Sequence, residues 1–160
     1  MATGVTIRAA SIDDVDVLTQ LNQVVHDLHV AARPKYFKPH DPTAVSAWFR
    51  EMLESADVRV WVATLEDAAA GYVLSVIRNL PEHRFAYAQS ICELDQIAVL
   101  PDLRRRGVGG ALVRHVLADA KARGFATVEL ATWAFNGNAH AAFAALGFRH
   151  KTARFECDVS

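Results

Sequence analysis

The stretch from Leu94 to Leu112, LDQIAVLPDLRRRGVGGAL, concentrates residue types that bind anions. An apolar run ends at Leu100-Pro101. Arg104, Arg105 and Arg106 follow, and then Gly107-Val108-Gly109-Gly110 opens an apolar-periodic segment. The first turn of a helix carries unpaired N–H groups and the positive end of the helix dipole. Glycines at that turn let an anion reach the backbone, and arginines match phosphate in charge and shape. The chemistry indicated is phosphate or pyrophosphate binding. No Gly-Lys-Ser/Thr follows, so this is not a Walker loop. Leu112 stands where a dinucleotide fingerprint needs its third glycine. On spacing alone, a helix start flanked by solvated arginines is the favoured reading.

Other reactive side chains are sparser. His26 and His29 lie three apart and share a helix face, but no third or fourth ligand sits at metal-site spacing, so no metal is expected. Cys92 and Cys157 lack zinc-site spacing and a nucleophile's partners; they read as small apolar residues in a reducing cytoplasm. Aromatic and imidazole groups gather in two connections: Tyr36 and Phe37 within Arg33 to Pro42, and His83, Phe85 and Tyr87 within Asn79 to Gln89. Trp133 and Phe135 stand just before Asn136. Such groups suit a small amine or a flat ligand.

The elements that must hold these residues follow from periodicity. Val5 to Arg8 predicts a short strand. Ser11 and Asp14 form a capping-box-like start to a helix over 12–31, with Leu18, Leu21, Val25 and Leu28 inward. Asp41-Pro42 starts a second helix whose stripe is Val45, Trp48, Phe49, Met52 and Leu53. Strands are predicted over 58–63, 72–77 and 91–100, with a turn at Glu66 to Gly71. Gly107 to Arg123 reads as a helix closed by Gly124, Val128 to Trp133 as a strand, Asn138 to Leu146 as a short helix, and Phe148 to Val159 as a last strand. Three consecutive strands, then alternation, indicate an α/β mixed sheet: an antiparallel meander followed by parallel crossovers, with helices on its faces.

The whole-chain numbers narrow the classes. The 160 residues read as one domain, 1–160. With 17 Lys and Arg against 18 Asp and Glu, the net charge is −1, which argues against a dedicated nucleic-acid or membrane-surface binder. Hydrophobic residues at 52% and charged residues at 22% indicate a globular chain. No apolar run reaches the roughly 18 residues of a membrane span, and Met1 to Ala10 lacks a signal core. A cytoplasmic location is the expectation.

Two blocks carry a family resemblance. Arg104-x-x-Gly107-x-Gly109 resembles the (Gln/Arg)-x-x-Gly-x-(Gly/Ala) signature of the GNAT superfamily of N-acetyltransferases. Asn136-x-x-Ala139-x-x-x-Phe143-x-x-x-Gly147-Phe148 resembles the family's C-terminal Asn-x-x-Ala-x-x-x-Tyr-x-x-x-Gly-Phe segment, in the expected order. The element order matches along nearly the whole chain; the first ~35 residues match in outline.

The resemblance implies acetyl-CoA, or another acyl-CoA, as donor and an amine as acceptor. It implies splayed strands 4 and 5, with a bulge that frees backbone groups for the pantetheine arm at Ile97, Ala98 and Val99. Backbone from Arg104 through Arg105, Arg106, Gly107, Val108 and Gly109 to Gly110 would hold the pyrophosphate. Asn136 would bond the pantetheine or thioester region, with Ala139 and Phe143 beside the cofactor. The Val99 N–H would polarise the thioester oxygen.

Glu93, four before Ile97, matches the position of a glutamate base in histone-acetylating members, and Asp95 is the alternative. Strand alternation places Glu93, Asp95, Ile97 and Val99 on one face. Phe143 replaces the family's proton-donating Tyr, so it is a packing contact only; Tyr87 is a substitute donor to test. His29, Tyr36, Tyr87, Asp95 and Trp133 are the acceptor-site candidates. The acceptor is expected to be a small-molecule amine, with a protein amino group or a non-catalytic acyl-CoA binding role as alternatives. Family members are often dimers, and exposed strands at the sheet's end would allow a homodimer.

Overall fold

The computed structural model describes residues 4–159. Five strands, β1 (Val5–Ala9), β2 (Val58–Leu65), β3 (Ala68–Leu80), β4 (Gln89–Val99) and β5 (Val128–Leu130), form one sheet in sequence order. The first four run antiparallel and β5 joins β4 in parallel. Helices α1 (Val15–Ala32), α2 (Pro42–Glu54), α3 (Val108–Ala122) and α4 (Gly137–Ala145) complete the chain.

The sheet is buried on both faces, so the strands alternate between two cores. Leu18, Leu21 and Phe49 from α1 and α2 pack on Val60, Val62, Tyr72, Leu74 and Ala98. Leu112, Val113 and Val116 of α3 pack on Trp61, Ala63, Val73 and Leu94 of the other face. Helix entries follow their chemistry. Asp41 caps α2 by accepting from Thr43 and Ala44 N–H, with Pro42 in the first turn. Asp14 accepts both Arg8 guanidinium nitrogens, at 2.8 and 2.7 Å, and the Ser11 N–H. That hydrogen-bonding and charge hold its carboxyl down to about 2.

Two strand expectations change. β5 spans only Val128–Leu130, not Val128 to Trp133. Phe148 to Val159 forms no strand among the described residues, although its alternation reads as one. Phe148 packs on the α3-side core, but beyond it Phe155 and Val159 face solvent (Phe155 is 90% exposed), so the segment has no core face to fix a register. Lys151 pairs with Glu129 and Glu156 with Arg33 along the way.

Candidate active site

β4 is the spine of the site, and a bulge sets its geometry. Ser75 pairs with Leu94 but Leu74 pairs with Gln96, so Asp95 is the extra, unpaired residue. The expected single face for Glu93, Asp95, Ile97 and Val99 is therefore corrected. Ile97 and Val99 pack toward α3. Glu93 and Asp95 both reach Arg78, whose guanidinium donates to them at 2.9 and 3.1 Å. The extra residue shifts the alternation by one, which turns β4 over beyond the bulge.

β5 accompanies β4 only over Cys92–Leu94. Beyond that point the strands separate, as the expected splay requires. The Leu100 N–H donates to Ala70 O on the β3 side. Antiparallel ladders alternate, so Ala98 and Gln96 also turn their backbone groups to β3. Ile97 and Val99 thus turn theirs into the splay, where no strand among the described residues meets them. Ala98, expected among the cofactor contacts, spends its backbone on the ladder and its side chain on the α1/α2 core. Close approach matters here: a Cβ at Gly71 would lie 2.5 Å from Ala98 O and 3.3 Å from Val99 Cα. Only glycine lets β3 hold this part of β4.

The glycine-rich turn follows directly. Gly107 caps α3 at φ 84°, a left-handed conformation that glycine adopts without strain. The Ala111 N–H makes the first helical bond, to Gly107 O, so the N–H groups of Val108, Gly109 and Gly110 have no helical acceptor. Arg106 is drawn away to Glu66 at 2.7 Å. Arg104 and Arg105 have no ion-pair partner among the described residues, and both are exposed. Arg114 lies against Gly110, its Nη1 3.1 Å from where a Cβ would stand, adding a cation that sequence reading did not single out. Three free N–H groups at a positive helix end, with the Arg114 guanidinium against Gly110, suit an anion. Asn136 caps α4 by accepting from the Ala139 N–H at 3.3 Å, leaving its NH₂ without a protein partner among the described residues. Phe143 packs on Phe148 and on the α3-side core.

On the opposite face, carboxylates cluster. Glu93 stands beside Glu129 in the parallel β4–β5 register, and Asp95 shares Arg78 with Glu93. Desolvation pushes the Asp95 carboxyl up, Arg78 opposes this, and the neighbouring Glu93 adds to the rise. Against these three acids stand Arg78 and Lys151, so the patch is net negative and suits an ammonium group. Glu129 and Arg78 were not among the residues sequence reading chose; only register reveals them.

Acceptor-side candidates assemble unevenly. Tyr36 and Phe37, from the α1–α2 loop, set their rings 5.2 and 5.3 Å from Trp133, in the loop after β5. Arg33 stands over Trp133 at 5.0 Å. His29 meets Phe37 and Phe135. His29, Tyr36 and Trp133 thus form one aromatic bridge between two loops. Tyr87 does not join them; it is 85% exposed in the β3–β4 connection. A cavity of about 260 Å³ lies between α1, α2 and β4, lined by Asn22, His26, Ala44, Val45, Trp48 and Gln96. Among the described residues no cluster of His, Cys, Asp and Glu is arranged to hold a metal. No described helix is long and apolar enough to cross a membrane.

The pattern of the acetyltransferase (GNAT) family matches residues 23–148, which span both the bulged strand and the glycine-rich turn. The chain belongs to the GNAT family. Among curated relatives, the [ribosomal protein bS18]-alanine N-acetyltransferase of Escherichia coli (strain K12) is 40% identical over 73 residues, 44% of this chain and 49% of that protein. The chain thus spans about half the length of the curated relatives it matches.

Solved structures agree on the fold. The tetramutant of the BH1408 protein from Bacillus halodurans superposes with a TM-score of 0.90 at 22% identity, covering 96% of this chain and 99% of that one. The aminoglycoside N-acetyltransferase AAC(6')-Iy in complex with CoA superposes with a TM-score of 0.76 at 21% identity, covering 96% and 94%.

Proposed function

We propose that this GNAT chain transfers the acetyl group of acetyl-CoA to the primary amine of a small molecule. The observation that carries the reading is the conjunction of the splay with the glycine-rich turn. Free backbone groups of Ile97 and Val99 lie beside three free N–H groups of α3. The turn at Gly107 to Gly110, with Arg104 and Arg105, holds the pyrophosphate. Ile97 and Val99 pair with the pantetheine arm, and the Asn136 NH₂ reaches the same arm. The thioester, once bound, supplies the activated acetyl group.

The chain's own residues do the rest. The Val99 N–H donates to the oxygen that gains charge as the amine attacks. A free alkylamine has a pKa near about 10.4 and arrives protonated. The acidic patch attracts it, and the Glu93–Asp95 pair accepts its proton, directly or through water. Desolvation raises the Asp95 carboxyl, which suits it to the base role beside Glu93, the residue expected first. Phe143 supplies no proton, and a thiol pKa near about 8.5 makes an unassisted thiolate a modest cost. The acetylated acceptor of the Escherichia coli relative, a ribosomal protein, keeps a protein amino group as the second reading.

Steady-state acetyl-CoA consumption with a panel of primary amines tests the proposal. Turnover is expected, with an acid limb in kcat/KM above the ordinary aspartate range. Asp95→Asn is expected to lower kcat by about 10²-fold and remove that limb while CoA binding persists. Binding without turnover on any small amine or peptide N-terminus would make the chain a binding module instead.

A further inference from the structure

The cavity between α1, α2 and β4 has a polar floor that the acetyl-transfer chemistry leaves unused. Asn22 Nδ2 donates to Tyr72 Oη at 3.1 Å and to Gln96 Oε1 at 3.2 Å. Tyr72 Oη donates to the same Gln96 oxygen at 2.7 Å. Tyr72 is buried, and burial pushes its hydroxyl up, so it remains a neutral donor. Its one proton couples the orientations of the two amides; in this arrangement Tyr72 and Asn22 both donate to Gln96. Asn22 Oδ1 and Gln96 Nε2 then have no protein partner among the described residues, and both residues line the cavity. If both amides turn together, their roles exchange and the cavity still meets one carbonyl oxygen and one NH₂.

His26 adds a third group. Its Nε2 lies 2.7 Å from Lys38 O, and a carbonyl only accepts, so Nε2 carries the hydrogen. In the Nε2–H tautomer Nδ1 is an acceptor. The remaining walls, Ala44, Val45 and Trp48, are apolar, and no Asp, Glu, Lys or Arg lines the space. At about 260 Å³ it falls below the roughly 300–1,000 Å³ of whole-ligand pockets, so it admits one part of a molecule. Gln96 follows Asp95 directly along β4, so the cavity adjoins the base.

We propose that this cavity is a specificity subsite that takes a hydroxyl-bearing portion of the acceptor amine, rather than a second ammonium or an alkyl group. A hydroxyl both donates and accepts, which matches two free acceptors and one free donor, and Trp48 gives a flat wall for the attached carbons. A second ammonium would find acceptors but no counter-charge. An alkyl group would satisfy none of the three polar groups. The inference rests on the acetyl-transfer reading above.

The test compares 2-amino-1,3-propanediol with isopropylamine, which share a carbon skeleton. The ratio of their kcat/KM values is measured in the wild type, Gln96→Leu and His26→Phe. Hydroxyls also lower amine basicity, and comparing ratios between proteins cancels that effect. The diol-to-alkyl ratio is expected to fall about tenfold in each folded variant, with isopropylamine changed less than threefold. A ratio unchanged in both variants overturns the subsite and leaves acetyl transfer standing. If neither amine turns over, the diol is titrated calorimetrically onto CoA-bound protein. Binding lost in Gln96→Leu then supports the subsite, and the transfer reading is decided by the wider amine panel; no binding defeats the subsite.

Discussion

The proposed donor and acceptor sides of this molecule are built differently. The proposed donor side is backbone: a bulge at Asp95, two strands that part after Leu94, and a left-handed glycine that exposes three N–H groups. It depends little on which side chains surround it. The acceptor side is side chains: an aromatic bridge from His29, Tyr36 and Phe37 to Trp133, a carboxylate patch on Arg78, and a small cavity. Backbone geometry constrains sequence tightly through glycine and spacing. Loop side chains tolerate change, and there recognition of a particular acceptor resides.

The sharpest way to break this contrast is at Gly71. Gly71→Val places a branched side chain where even a Cβ meets Ala98 O at 2.5 Å. β4 must shift at Ile97 to Val99, so acetyl-CoA affinity should fall at least tenfold, with a loss of stability of about 1–3 kcal/mol. Thermal melting and calorimetry check both; a variant with native affinity would show that β4's backbone is not the donor's partner.

A substitution on the other side should separate the two. Trp133→Ala removes the ring on which Tyr36, Phe37 and Arg33 converge. The amine KM is expected to rise about five- to tenfold with acetyl-CoA affinity within twofold, read by steady-state kinetics and calorimetry. An equal loss on both substrates would merge the two regions into one cooperative site.

The smallest effect lies outside both. Asp14, hydrogen-bonded and ion-paired to Arg8, is held down to about 2, below its ordinary value. A carboxyl depressed in the folded state contributes stability above its unfolded pKa near 4, and that contribution is lost as pH falls toward 2. Arg8 is half exposed, so solvent screening limits the worth to about 1 kcal/mol. Asp14→Asn should therefore lower stability at pH 7 and converge with the wild type near pH 2, followed by urea denaturation, with acetyl transfer unaffected.

Legibility in the sequence divides along the same line. Helix stripes such as Leu112, Val113 and Val116, the meander, and the glycine-rich turn are visible because periodicity and glycine spacing are local. The shared face of Glu93 and Ile97 was misread because one extra residue at Asp95 inverts the alternation, and a bulge leaves no local mark in an apolar strand. Arg78 and Glu129 became visible only through register with β4. The Phe148 to Val159 segment alternates like a strand, yet alternation specifies nothing without a partner edge and a core face. His29, Tyr36 and Trp133 did converge, but Tyr87, of the same residue type as Tyr36, did not; composition cannot say which loops meet.

The most direct test of the central claim is calorimetric titration of acetyl-CoA into the wild type and Gly107→Glu. The variant puts a carboxylate beside the free N–H groups of Val108, Gly109 and Gly110, at a φ of 84° that a side chain resists. The account predicts micromolar-range binding by the wild type and at least a hundredfold loss in a variant that still folds by circular dichroism. Binding that survives in the folded variant, or a well-folded wild type that does not bind, would contradict it.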